Sequence, residues 1–124
     1  MDKLETPWNF NVEKKIYSNS LKYVNLMEIC QGGPEIGEIL INNTKIYDYK
    51  FGGPSLFNNH ILIIPVYVNS FFSKGFKIAI INLSDYSIKI LGKVNDLIIL
   101  KEFDATSIIY YSDINKSKLR KIEY

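Results

Sequence analysis

Short runs of β-branched and aromatic residues recur along this chain at intervals of roughly ten residues, separated by Asn, Ser, Asp or Gly, and no apolar stripe at helical spacing accompanies them. That rhythm restricts the chain to the all-β class. In "FKIAII", Phe76, Ile78 and Ile80 alternate with Lys77, Ala79 and Ile81, and in "YSIKIL" Tyr86, Ile88 and Ile90 alternate with Ser87, Lys89 and Leu91. The intervening "NLSD" predicts a hairpin. A second hairpin is predicted between "GEILIN" and "TKIYDYKF", turning at Asn42 and Asn43, because Asn tolerates the left-handed backbone of a tight turn. "EKKIYSNS" is too short and too irregular in its apolar positions to predict a helix.

With the hairpins as anchors, three stretches starting at Lys22, His60 and Asp96 each read as strand, loop, strand, tight turn, strand. Their starts are 38 and 36 residues apart, near the length of a propeller blade. Three blades do not close a ring. The expected architecture is therefore one domain over residues 1–124, an antiparallel meander of three propeller-blade-like units forming a curved sheet or a two-layer sandwich. Pro65 falls inside the most apolar run, "ILIIPVYV", and predicts an edge strand or a bulge there, since proline donates nothing to a ladder.

The tripeptide Gly-Gly-Pro occurs at 32–34 and again at 52–54. A phosphate loop requires a lysine, inward-facing amides and a following helix. "GGPEIGE" instead has Glu38 at the lysine position, a proline that removes an amide, and a strand pattern behind it, so both stretches read as turns between strands. His60 and Cys30 are the only residues of their types. His60 reads as a polar strand-start residue and Cys30 as a small half-buried one, neither with a visible catalytic supporting group. Asp104 and Asp113 read as solvated strand-end acids. No metal-ligand spacing is present, no cofactor is expected, and the chain is not expected to be an enzyme.

Fifteen Lys and Arg against thirteen Asp and Glu leave a net charge of +2, which gives no reason to expect direct nucleic-acid binding or adhesion to a membrane surface. A single cysteine favours a reducing compartment, and the charged start "MDKLETPWNF" does not read as a signal peptide, so a cytoplasmic location is expected. Charge is nonetheless segregated. Between Tyr23 and Thr44 stand Glu28, Glu35 and Glu38 without one cation, whereas Lys116, Lys118, Arg120 and Lys121 crowd "NKSKLRKIEY", which reads as an edge strand.

Aromatic residues supply candidate anchors. Tyr47, Tyr49 and Phe51 are predicted on one strand face, and Phe71 and Phe72 are adjacent, so in an extended segment they point opposite ways and one is offered to a partner. An aromatic-lined carrier of a small apolar ligand and a propeller-like interaction module are the alternatives that this composition leaves open.

The blade-like units, together with "GGPEIGEILINNTKIYDYKFGGP", give the chain a resemblance to the immunity proteins of bacterial contact-dependent growth inhibition and polymorphic-toxin systems. The resemblance implies a cytoplasmic protein without a reaction of its own, which binds a cognate protein toxin and occludes its active site. Basic nucleases are frequent targets of that family. Glu28, Glu35, Glu38 and Asp48 would then be counter-charges and Phe71 or Phe72 an anchor, although many such inhibitors are more acidic overall than this chain.

Overall fold

The computed structural model describes residues 5–16, 18–71 and 73–124, and among them every regular element is a β-strand. In chain order these are β1 (Glu13–Ile16), β2 (Asn19–Glu28), β3 (Glu35–Ile41), β4 (Thr44–Lys45), β5 (Lys50–Phe51), β6 (Leu56–Phe57), β7 (Ile61–Asn69), β8 (Lys74–Asn82), β9 (Ile88–Asn95), β10 (Ile99–Phe103), β11 (Ser107–Tyr111) and β12 (Leu119–Glu123). All pairings are antiparallel. A nine-stranded sheet runs β1-β2-β3-β5-β7-β8-β9, with β4 beside β3 and β6 beside β7, and β10-β11-β12 form a second sheet. The strands of the first two predicted stretches thus merge through β5 and β7, while the third makes a sheet of its own. Neither sheet closes.

Period-two alternation sorts side chains onto the two faces of the larger sheet. Leu62, Ile64 and Val66 of β7, with Ala79 and Ile81 of β8, join Leu21, Tyr23, Ile39, Ile41 and Phe51 in one core. Ile63, Phe76, Ile78 and Ile80 point the other way and pack with Ile98, Leu100, Ile108 and Tyr110 of the smaller sheet and its approach. The faces predicted for "FKIAII" and "YSIKIL" are those observed, with Ile88 and Ile90 against the first core and Leu91 against the second. The first core forms because the sheet curls on itself. Across that curl the Asn42 side-chain amide donates to the Tyr86 hydroxyl at 3.1 Å, joining the β3–β4 turn to the β8–β9 turn.

Local chemistry accounts for the turns. Asn42 and Asn43 have φ of 52° and 66°, the left-handed pair that a two-residue hairpin requires. Asp104 accepts from the Thr106 and Ser107 amides, and Asp113 from those of Ser117 and Lys118, so each acid organises its own turn.

Pro65 departs from expectation, because β7 lies inside the sheet between β8 and the short strands β5 and β6. Its carbonyl accepts from the Gly52 amide at 2.8 Å. In an antiparallel strand a residue's N–H and C=O point to the same side, so the missing donor faces residues 52–55, where the chain leaves the ladder between β5 and β6. The neighbour is interrupted opposite the proline, which serves in place of an edge. The strand predicted through "KIYDYKF" breaks at Tyr47, at φ of 54°, yet its three rings remain in a row, Tyr47 to Tyr49 at 5.9 Å and Tyr49 to Phe51 at 6.1 Å, with the two tyrosines exposed and Phe51 in the core.

Candidate functional site

The β2–β3 turn gathers two of the predicted acids. Glu28 and Glu35 are direct cross-strand partners at the mouth of the hairpin. The turn closes through Ile29 N–H to Pro34 C=O at 3.1 Å and Gly33 N–H to Cys30 C=O at 2.8 Å. Gly32, at φ +74°, presents its amide to the Glu28 carboxylate at 2.7 Å. From outside, the Trp8 indole N–H donates to the Gly32 carbonyl at 3.1 Å, and the Glu35 amide donates to Pro7 C=O at 3.1 Å. The N-terminal segment therefore braces the backbone of the turn.

Two like charges placed directly opposite across a ladder destabilise it. Among the described residues neither Glu28 nor Glu35 takes part in an ion pair. Glu28 is exposed and Glu35 half-buried, next to an exposed Met27 and an exposed Cys30.

Glu38 and Asp48 belong to a different arrangement. The Glu38 carboxylate takes Lys45 Nζ at 2.7 Å, the Asn25 side-chain amide at 2.8 Å and Lys50 Nζ at 3.8 Å, and Lys45 also reaches Asp48 at 3.0 Å. Hydrogen bonds from Lys45 and then Asn25 pull the Glu38 carboxyl down to about 2, and the same bond to Glu38 raises Lys45. Two carboxylates meet two ammonium groups. The charge of this network is satisfied internally.

Phe71 sits at the tip of the β7–β8 hairpin and is 95% exposed, the most exposed of the large apolar side chains described. The hairpin end is closed by the Ser70 amide on the Ser73 carbonyl at 2.9 Å. Phe72, the other predicted anchor, lies outside the described residues.

The remaining candidates are dispersed. His60 is exposed before β7, where its amide donates to Asn58 Oδ1 at 2.7 Å and its carbonyl accepts from Leu83. Cys30 is exposed in the β2–β3 turn, not half-buried as expected, because the turn carries it beyond the end of the ladder. No hydrogen bond joins the two among the described residues, and no cluster of His, Cys, Asp and Glu there has metal-site geometry. A surface hollow of about 380 Å³ beside β1 and β2 is lined by Glu13, Lys14, Lys15, Ser20, Leu21, Lys22 and Asn43, and a smaller one of about 190 Å³ lies beside β10 and β11. Charged and polar side chains predominate in the lining of both, and the aromatic residues Phe10, Tyr23 and Phe51 are packed into the core.

Two supports escaped the sequence reading. Trp8 is the only tryptophan, and its place in a polar N-terminal stretch was a usable signal for a long-range contact. The ion pair of Lys14 with Glu5 at 2.6 Å, which ties that stretch to β1, carries no such signal because any two surface charges could have formed it. No described helix is long and apolar enough to cross a membrane. The chain matches no protein-family model, no curated protein and no solved structure.

Proposed function

We propose that this protein is a non-catalytic inhibitor of the immunity type, which binds a cognate bacterial toxin in the cytoplasm and occludes its active site. The observation that carries the reading is the Glu28–Glu35 pair: two glutamates set directly opposite each other and in no ion pair among the described residues, on a turn braced by Trp8 and Pro7. A like-charge pair costs the free protein stability and repays it in a complex with a cationic partner. A basic nuclease is the toxin class that fits. Glu38 and Asp48, balanced by Lys45 and Lys50, act in this reading by holding the β4–β5 segment, not by steering.

Phe71 is the proposed apolar anchor, and Phe72 keeps the same role as its alternative. Three blade-like units starting at Lys22, His60 and Asp96, arranged as a curved two-layer scaffold, would hold the turn and the anchor rigid. Nucleic acid and membrane have no direct part, and oligomeric state does not enter.

Co-expression with the toxin encoded beside its gene tests the proposal. The chain should restore growth and co-purify with the toxin. Phe71→Ala should chiefly speed dissociation, at a cost on the order of 2 kcal/mol, with Phe72→Ala as the companion variant. Absence of protection and of a complex would overturn the assignment.

A further inference from the structure

The free edge of β12 differs from the other strand edges. Edge strands that meet no partner are commonly blunted by shortness or by bulges. β1 has four residues, β9 departs from register between its contacts with Phe76 and Ile78, and β10 breaks register between Leu100 and Glu102. β12 pairs with β11 in unbroken register from Leu119 to Glu123.

The direction of its backbone follows from two hydrogen bonds. Ser112 N–H donates to Lys118 C=O at 3.1 Å, and Tyr124 N–H donates to Thr106 C=O at 2.9 Å. Even-numbered residues of this stretch therefore face β11, and the N–H and C=O groups of Leu119, Lys121 and Glu123 point away from it. Among the described residues nothing pairs with that side. Leu119 and Ile114 are 54% and 62% exposed beside it. Lys116, Lys118, Arg120 and Lys121 are exposed along the same segment, and among the described residues none of them is in an ion pair.

We propose that the β12 edge receives an extended acidic segment of a partner protein as a fourth strand of the smaller sheet. The outward amides and carbonyls supply the ladder, the four cations select an acidic sequence, and Leu119 offers an apolar contact. The positive charge of this edge disfavours pairing with a second copy of itself, whereas an acidic strand meets complementary charge. This site is separate from the acidic turn, carries the opposite charge, and does not depend on the toxin assignment.

The test uses the intact protein and a fluorescein-labelled peptide of about ten residues in which Glu and Val alternate, long enough to span the edge. Binding should be measurable with a dissociation constant below about 100 μM, and the double charge reversal Arg120→Glu, Lys121→Glu should weaken it roughly tenfold or more. Hydrogen exchange on the wild-type protein should slow at the amides of Leu119, Lys121 and Glu123 when the peptide is added. A peptide N-methylated at every amide, which leaves neither edge able to donate, should not bind. No binding, equal binding of the methylated peptide, unchanged exchange at those amides, or tighter binding of a single-stranded oligonucleotide would each overturn the proposal.

Discussion

The two Gly-Gly-Pro stretches have the same residues and opposite surroundings. At 32–34 a Cβ on Gly32 would meet nothing within 4 Å and the glycine is required by its φ of +74°, while one on Gly33 would meet only the turn's own Cys30 and Ile29, at 2.7–3.2 Å. At 52–54 the requirement is space. A Cβ on Gly53 would lie 2.7–2.9 Å from ring atoms of Phe10, and one on Gly52 would lie 3.0 Å from the Phe76 ring. Tyr23, its ring tilted 4.7 Å from that of Phe10, donates its hydroxyl to the Gly52 carbonyl at 2.6 Å in the core. One stretch shapes an outward turn that presents charge; the other is a crossing point where aromatic rings meet bare backbone. Identical tripeptides therefore separate into a presenting element and a packing element according to what lies against them.

Substitution should separate them further. The largest loss is expected from Gly53→Ala, about 2–3 kcal/mol by denaturant unfolding, because the Phe10 ring has to move in a packed core. Combining it with Phe10→Leu should cost less than the sum of the two single changes, and strict additivity would mean that Phe10 is not the obstacle. Tyr23→Phe should lose about 1–2 kcal/mol, since it leaves the buried Gly52 carbonyl without its donor. Burial, followed by the nearby Glu5 charge, raises the Tyr23 phenol far above the ordinary tyrosine range, so its ultraviolet ionisation signal should appear only on alkaline unfolding. Gly32→Ala should cost about 1 kcal/mol, the strain of a left-handed alanine, with no change in core packing.

The Glu38 network predicts a pH effect. Its carboxyl is held below the unfolded value, so its stabilising contribution is complete above about 4.5 and disappears as pH falls toward about 2. Glu38→Gln should flatten the acid limb of the stability profile in that window. A carboxyl titration of Glu38 by NMR with a midpoint near 4.5 would remove the network as the cause.

How much of this was legible depended on whether the signal was local. Phe76, Ile78 and Ile80 opposite Ala79 and Ile81 could be read directly, because alternation is a property of neighbouring residues. The Asn42–Asn43 turn was equally plain. Pro65 was misread because its tolerance depends on a gap in another strand, and the strand break at Tyr47 was missed because a positive φ at a tyrosine has no local sequence signal. The acids were visible as a cation-free run, but whether each was paired was a matter of register. Glu28 falls opposite Glu35, whereas Glu38 lies within reach of Lys45 and Lys50.

Glu35→Lys tests the central claim most directly, because it turns the opposed carboxylates into an opposite-charge pair. The account predicts a gain of about 0.2–1 kcal/mol in the free protein, together with slower association with the toxin at low salt and a weaker salt dependence. Reduced stability, or an association rate equal to that of the wild-type protein at low salt, would contradict it.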